Sequence, residues 1–172
     1  MKELLQAIEK DSLVEIKRLL KEKNYDLNSD VVVGLEYDLE EHDEIPLLFY
    51  MVQNGASLEA IELLLENGMD LETTSREGVG VVDYAIKYRR PDIVHLCKER
   101  GFDLTKTKRK SGLTPLMLAS SFNDTDMMQY LIDLGANPKE RDNFGMSAID
   151  YAYKMGQKKA AKFLEDLEAN KE

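Results

Sequence analysis

Reactive side chains are sparse in this sequence. It holds two histidines, His42 and His95, and one cysteine, Cys97. A nucleophilic thiol needs a base within hydrogen-bond reach. His95 lies two residues before Cys97 in the helical stretch Asp92-Ile93-Val94-His95-Leu96-Cys97, and side chains two apart on a helix diverge by about 200°. Cys97 falls on the apolar stripe and reads as an inert core thiol. His95 reads as a structural or solvent-facing side chain. There are no paired cysteines and no His-x-x-x-His, so the spacings that hold zinc are missing. Residues 28–44 carry seven carboxylates and no Lys or Arg, but not the spaced Asp/Asn ladder and closing Glu of a calcium loop. Gly78-Val79-Gly80 begins like a dinucleotide fingerprint, yet Asp83 stands at the third glycine place. The residues thus imply no catalytic group, no metal and no cofactor.

The elements that would position any site are set by a repeat. Ser111-Gly112-Leu113-Thr114-Pro115-Leu116-Met117-Leu118-Ala119 is followed 33 residues later by Phe144-Gly145-Met146-Ser147-Ala148-Ile149-Asp150-Tyr151-Ala152, and preceded by 34 by Glu77-Gly78-Val79-Gly80-Val81-Val82-Asp83-Tyr84-Ala85. A second feature recurs in phase at Asn67-Gly68, Arg100-Gly101 and Leu134-Gly135, with a degenerate copy at Asn24, where asparagine is the next-best left-handed helix cap. Between the two features each unit reads as two short helices. Thr114 caps the first helix of its unit, with Pro115 in the first turn. Asn123-Asp124 ends that helix, and Met127, Met128, Leu131 and Ile132 fall at helical spacing from about Asp126. Ser12 and Glu15 have the spacing of a capping box ahead of Leu13, Ile16, Leu19 and Leu20.

This pattern resembles the ankyrin repeat. The family signature Thr-Pro-Leu-His-x-Ala appears as Thr114-Pro115-Leu116-Met117-Leu118-Ala119; Asp83 and Asp150 stand at the histidine place in two other units, and a looser copy reads Ile45-Pro46-Leu47-Leu48. The missing histidine is expected to weaken hydrogen bonding within each turn. The resemblance covers about residues 1–168. It implies an all-α ankyrin-repeat solenoid forming a single domain over 1–172, with about five helix-turn-helix units at 1–28, 43–72, 75–106, 109–140 and 142–168. Short hairpin fingers join them, and one long finger lies near residues 28–44. The wet outer side of Lys158–Asp166 suits a terminal unit.

The long finger is where the period fails: Asn24 to Gly68 is 44 residues. Val31-Val32-Val33, then Gly34, then Leu35, Tyr37 and Leu39 read as a hairpin with an alternating second arm. It is either an elongated surface loop or a partner-binding finger. A cationic cluster, Lys106, Lys108, Arg109 and Lys110 with Arg89 and Arg90, reads as a solvated hairpin or as a contact for an acidic patch. The formal net charge is −10, with residues 1–70 at −11 and residues 71–172 at +1. Such a field disfavours nucleic acid and anionic lipid and favours a basic partner. The N-terminal residues lack the pattern of a signal peptide, and no apolar run reaches the roughly 20 residues of a membrane span. With one cysteine, a reducing, cytoplasmic setting is expected.

The resemblance further implies a protein-binding surface on the concave face, made by the hairpin tips and the exposed side of each first helix. The residues at those places are Arg76, Val79 and Tyr88, then Lys110, Leu113 and Phe122, then Arg141, Phe144 and Met146. Lys87, Ser121, Lys154 and Met155 match as well, and Tyr37 joins them from the long finger. Some of the aromatic rings could instead pack between hairpins. The expectation is a non-catalytic, monomeric module that binds another protein with a basic patch. A protein that neutralises a basic toxin or enzyme is the alternative, with a small-molecule binder or a structural spacer further off.

Overall fold

In the computed structural model, residues 1–33 and 43–170 are described. Among them are ten helices and one two-stranded sheet, so the fold is all-α in character. The chain divides into two compact units, Met1–Ser75 and the segment from Arg76 onward.

The first unit contains α1 (Lys2–Glu9), α2 (Leu13–Glu22), β1 (Asp30–Val33), β2 (Asp43–Pro46), α3 (Leu47–Gln53) and α4 (Leu58–Glu66). All six residues from Leu47 to Val52 are buried, as expected of a helix that is apolar all round. Leu4, Ile8, Ile16, Leu19, Ile61 and Leu64 are buried as well and complete the core of the unit. Asn28 ties the end of α4 to the chain before β1: its Nδ2 donates to the Gly68 carbonyl (3.0 Å) and its Oδ1 accepts from Asp70 N–H (2.7 Å).

Two expectations for this unit are corrected, and one strand pairing is new. Ser12 precedes α2 without a side-chain cap. The Glu15 carboxylate that would complete the box is held instead by Arg18, with Nε 3.0 Å from Oε2. Asn24 does not take a left-handed conformation: α2 ends on Lys23 with an extended backbone (φ −134°, ψ 141°), and the chain leaves the helix without reversing. The arm that pairs with Val31–Val33 is Asp43–Pro46, antiparallel, with Val31 opposite Ile45 and Val33 opposite Asp43. Leu35, Tyr37 and Leu39, read as the second arm, lie outside the described residues.

The second unit contains α5 (Val81–Lys87), α6 (Pro91–Glu99), α7 (Pro115–Ser121), α8 (Thr125–Asp133), α9 (Ala148–Lys154) and α10 (Lys158–Ala169). Helix α7 packs between α5 and α9, and each of these three is backed by its own second helix. Ala85, Ala119 and Ala152, the last residues of the repeated motif, are completely buried, since only a methyl group fits where neighbouring first helices meet. Each helix pair turns through one left-handed residue: Arg89 (φ 53°), Asn123 (φ 58°) and Gly156 (φ 69°) here, and Asp11 (φ 48°) and Gly55 (φ 73°) in the first unit. Two of these side chains cap the second helix of the following pair: Asp11 Oδ1 accepts from Ser57 N–H (3.0 Å) and Asn123 Oδ1 from Ala160 N–H (2.9 Å).

Candidate partner-binding surface

The turns of the second unit are built by residues the repeat supplies. Thr114 Oγ1 accepts from Met117 N–H (3.3 Å), and Met117 Sδ receives Thr114 N–H (3.5 Å). In the neighbouring pairs aspartate takes the reciprocal role: Gly80 N–H donates to Asp83 Oδ2 (2.8 Å), and Ser147 N–H and Oγ–H donate to Asp150 Oδ2 (2.8 and 2.9 Å). The expected weakening of these turns therefore does not hold at Asp83 and Asp150, because a carboxylate at the third helical position closes the cap. Hydrogen bonds from Ser147 hold the Asp150 carboxyl below its ordinary range. Burial raises that of Asp83, with Gly80 N–H and Arg109 offsetting part of the effect.

Successive hairpins join edge to edge. Lys110 N–H donates to the Glu77 carbonyl (3.1 Å), and Asn143 N–H to the Ser111 carbonyl (2.9 Å). Both acceptors immediately precede a left-handed glycine, Gly78 or Gly112. The third hairpin is fixed by Asp142, which is buried. Its Oδ1 accepts from Phe144 N–H and Met146 N–H (both 2.9 Å), and its Oδ2 from Tyr151 O–H (2.5 Å). Burial pushes the Asp142 carboxyl up, but these donors outweigh it and hold the group below the usual carboxylate range.

This frame sets the positions of the residues singled out from the sequence. Phe144 is 76% exposed at a hairpin tip, and Arg141 and Lys110 are exposed beside it in sequence and on the adjoining hairpin. Arg141 lies 3.2 Å from Asp150 Oδ2. Met146, Leu113 and Val79 are half-buried at equivalent places on three hairpins, and Arg76 is exposed. At the ends of the first helices, Tyr88 and Phe122 are half-buried. Tyr88 stacks near Tyr84 (6.0 Å) with Lys87 Nζ 5.3 Å from its centroid. The Phe122 carbonyl accepts from Arg89 (2.8 Å). All of these belong to the second unit; Tyr37 lies outside the described residues. Met155 and Tyr153 add 56% and 58% exposed side chains at the end of α9. Tyr153 was not anticipated, because the matching residues Ile86 and Ser120 are buried and its position reads as core.

The cationic cluster is dispersed over separate acids. Arg109 pairs with Asp83 (3.3 Å), Arg90 with Asp92 (2.7 Å), Arg89 with Asp124 (3.6 Å) and Lys106 with Asp103 (3.8 Å). The potential chemistry is equally spread. Cys97 is buried, and burial pushes its thiol up to about 12. His95 is exposed, with its ring edge-on to Tyr130 (4.6 Å) and Nδ1 3.2 Å from the tyrosine hydroxyl. Among the described residues no group of His, Cys, Asp and Glu is placed to hold a metal ion, and no helix is long and apolar enough to cross a membrane.

Comparison with known proteins finds ankyrin repeat proteins among the relatives. Residues 100–172 match the family model for ankyrin repeats in three copies. The chain is 31% identical over 123 residues to the ankyrin repeat protein nuc-2 of Neurospora crassa, a match covering 71% of this chain and 11% of that protein. It is 25% identical over 91 residues to the putative ankyrin repeat protein L371 of Acanthamoeba polyphaga mimivirus, covering 53% of this chain and 12% of that protein. It is 34% identical over 84 residues to the B-cell lymphoma 3 protein homolog of Mus musculus, covering 49% and 19%. The chain thus spans under a fifth of the length of each of these relatives. The helix pairs, their glycine-closed hairpins and these matches together place the chain in the ankyrin repeat family.

Proposed function

We propose that this protein is a non-catalytic module, a single domain over residues 1–172, that holds another protein on its concave face and hairpin fingers. Ankyrin repeats in general are protein–protein interaction modules. The observation that carries the reading is Phe144, a large apolar side chain 76% exposed on a hairpin whose backbone is locked by Asp142. A rigid, exposed aromatic costs little ordering on binding and is the kind of residue that anchors interfaces. Arg141, Met146, Lys110, Leu113, Val79, Arg76, Phe122 and Tyr88 extend the surface over the neighbouring hairpins and helix ends. The net charge of −10 favours a partner with a basic patch. The protein acts as a monomer in the cytoplasm.

Affinity purification from the native cell with the intact chain as bait tests this. A partner recovered by the wild type should be depleted at least tenfold with a Phe144→Ala, Arg141→Ala bait whose circular dichroism is unchanged. Equal recovery by both baits would refute this surface.

A further inference from the structure

Among the described residues, β1 of the first unit pairs along one edge only, with β2. The Leu47 N–H donates to the Ser29 carbonyl (3.2 Å), and the register pairs Val31 with Ile45 and Val33 with Asp43. In an antiparallel ladder, alternate residues turn their N–H and C=O toward the partner strand. Residues 29, 31 and 33 therefore face β2, and Asp30 stands opposite Pro46, which has no N–H to give. The N–H and C=O groups of Asp30 and Val32 consequently point away from β2. A groove of about 470 Å³ borders this edge, between β1 and α1. Met1, Leu5 and Val32 supply its apolar lining and Lys2, Glu9 and Asp30 its charged lining. Val32 is 56% exposed, whereas Val31 beside it is buried in the core.

The sequence that contains β1 is acidic: residues 24–75 hold thirteen Asp or Glu and no Lys or Arg. Two nearby cations in sequence are already engaged, Arg18 with Glu15 and Glu22, and Lys23 with Glu3; Lys2 is the one cationic side chain in the groove lining.

From these features we infer that β1 accepts an extended, lysine- or arginine-bearing peptide strand, which adds to its free edge and fills the groove against α1. The four outward backbone groups provide main-chain hydrogen bonds, the affinity component of strand addition. Val32 and Leu5 meet apolar residues of the incoming strand, and Asp30 and Glu9 meet its cations. Four residues of strand span about 13 Å, so the segment held is short. This site is independent of the Phe144 surface and stands or falls without it.

The probe is a fluorescein-labelled octapeptide of alternating valine and lysine, titrated into the whole chain and followed by fluorescence anisotropy. Saturable binding is expected, weakened at least tenfold by Val32→Pro, which deletes an outward donor and leaves the β1–β2 ladder intact. Asp30→Lys should weaken it similarly, and Phe144→Ala should leave it unchanged. A peptide methylated on alternate backbone nitrogens, or one of alternating valine and glutamate, should not compete. Undiminished binding to Asp30→Lys and to a folded Val32→Pro, competition by the glutamate peptide, or loss of binding in Phe144→Ala would overturn the assignment.

Discussion

A methyl group at Gly78 should damage the fold far more than the same methyl at Gly145, although the two backbones match. Both glycines are left-handed, at φ +79° and +76°. Alanine in that region costs roughly 1–2 kcal/mol whatever surrounds it. At Gly145 nothing lies within 4 Å of the added carbon, so the conformational cost is the whole effect. At Gly78 the carbon would sit 2.1 Å from the Lys108 carbonyl oxygen and 2.7 Å from the carbonyl carbon. The next hairpin would have to retreat by roughly 1 Å to restore van der Waals separation. That shift strains the Lys110 N–H to Glu77 C=O bond (3.1 Å) joining the two hairpins. Overpacking adds about 1–3 kcal/mol and the weakened hydrogen bond about 1 kcal/mol. Gly78→Ala should therefore lose about 3–6 kcal/mol, against about 1–2 kcal/mol for Gly145→Ala. Urea unfolding of both variants, followed by circular dichroism at 25 °C, measures the difference. Equal losses would show that the hairpins do not pack backbone to backbone at Gly78.

Three further outcomes follow from the same structure. Asp142→Asn should cost about 1–3 kcal/mol at pH 7 by weakening three hydrogen bonds to a buried carboxylate. Because the folded pKa lies below the unfolded 3.8, this stabilisation is complete above that value and lost as pH falls through the folded pKa. Unfolding of wild type and variant across pH 2–7 should therefore show a gap that closes at the acid end. Asp150→Ala should cost about 1 kcal/mol, the value of a helix cap, read as a lower urea midpoint. Cys97, buried and pushed up to about 12, should resist a thiol reagent such as dithionitrobenzoate in the native protein and react only at the rate of unfolding.

Glycine and alanine made most of the fold legible in the sequence. Gly78, Gly112 and Gly145 mark left-handed hairpin turns, Gly68, Gly101 and Gly135 mark helix ends, and Ala85, Ala119 and Ala152 mark the places with room only for a methyl group. The left-handed residue between the helices of each pair was harder to find, because Asp11, Gly55, Arg89, Asn123 and Gly156 share a conformation and no residue type. Ser12 and Glu15 show a different failure: the spacing is right, but Arg18 competes for the carboxylate. The pairing of Val31–Val33 with Asp43–Pro46 was not anticipated, because Asp43–Pro46 carries no alternation of its own to mark it as a strand. Within the candidate surface, Phe144 and Arg141 could be placed from the repeat. Tyr153 could not, since its exposure depends on what packs beside α9.

Amide hydrogen exchange, measured with and without the partner recovered by affinity purification, tests the protein-binding account most directly. The account predicts slowed exchange in the hairpins spanning residues 109–113 and 141–146 and at the end of α9, with Cys97 and His95 unchanged. Protection confined to other parts of the chain, or produced in full by a small metabolite alone, would contradict it.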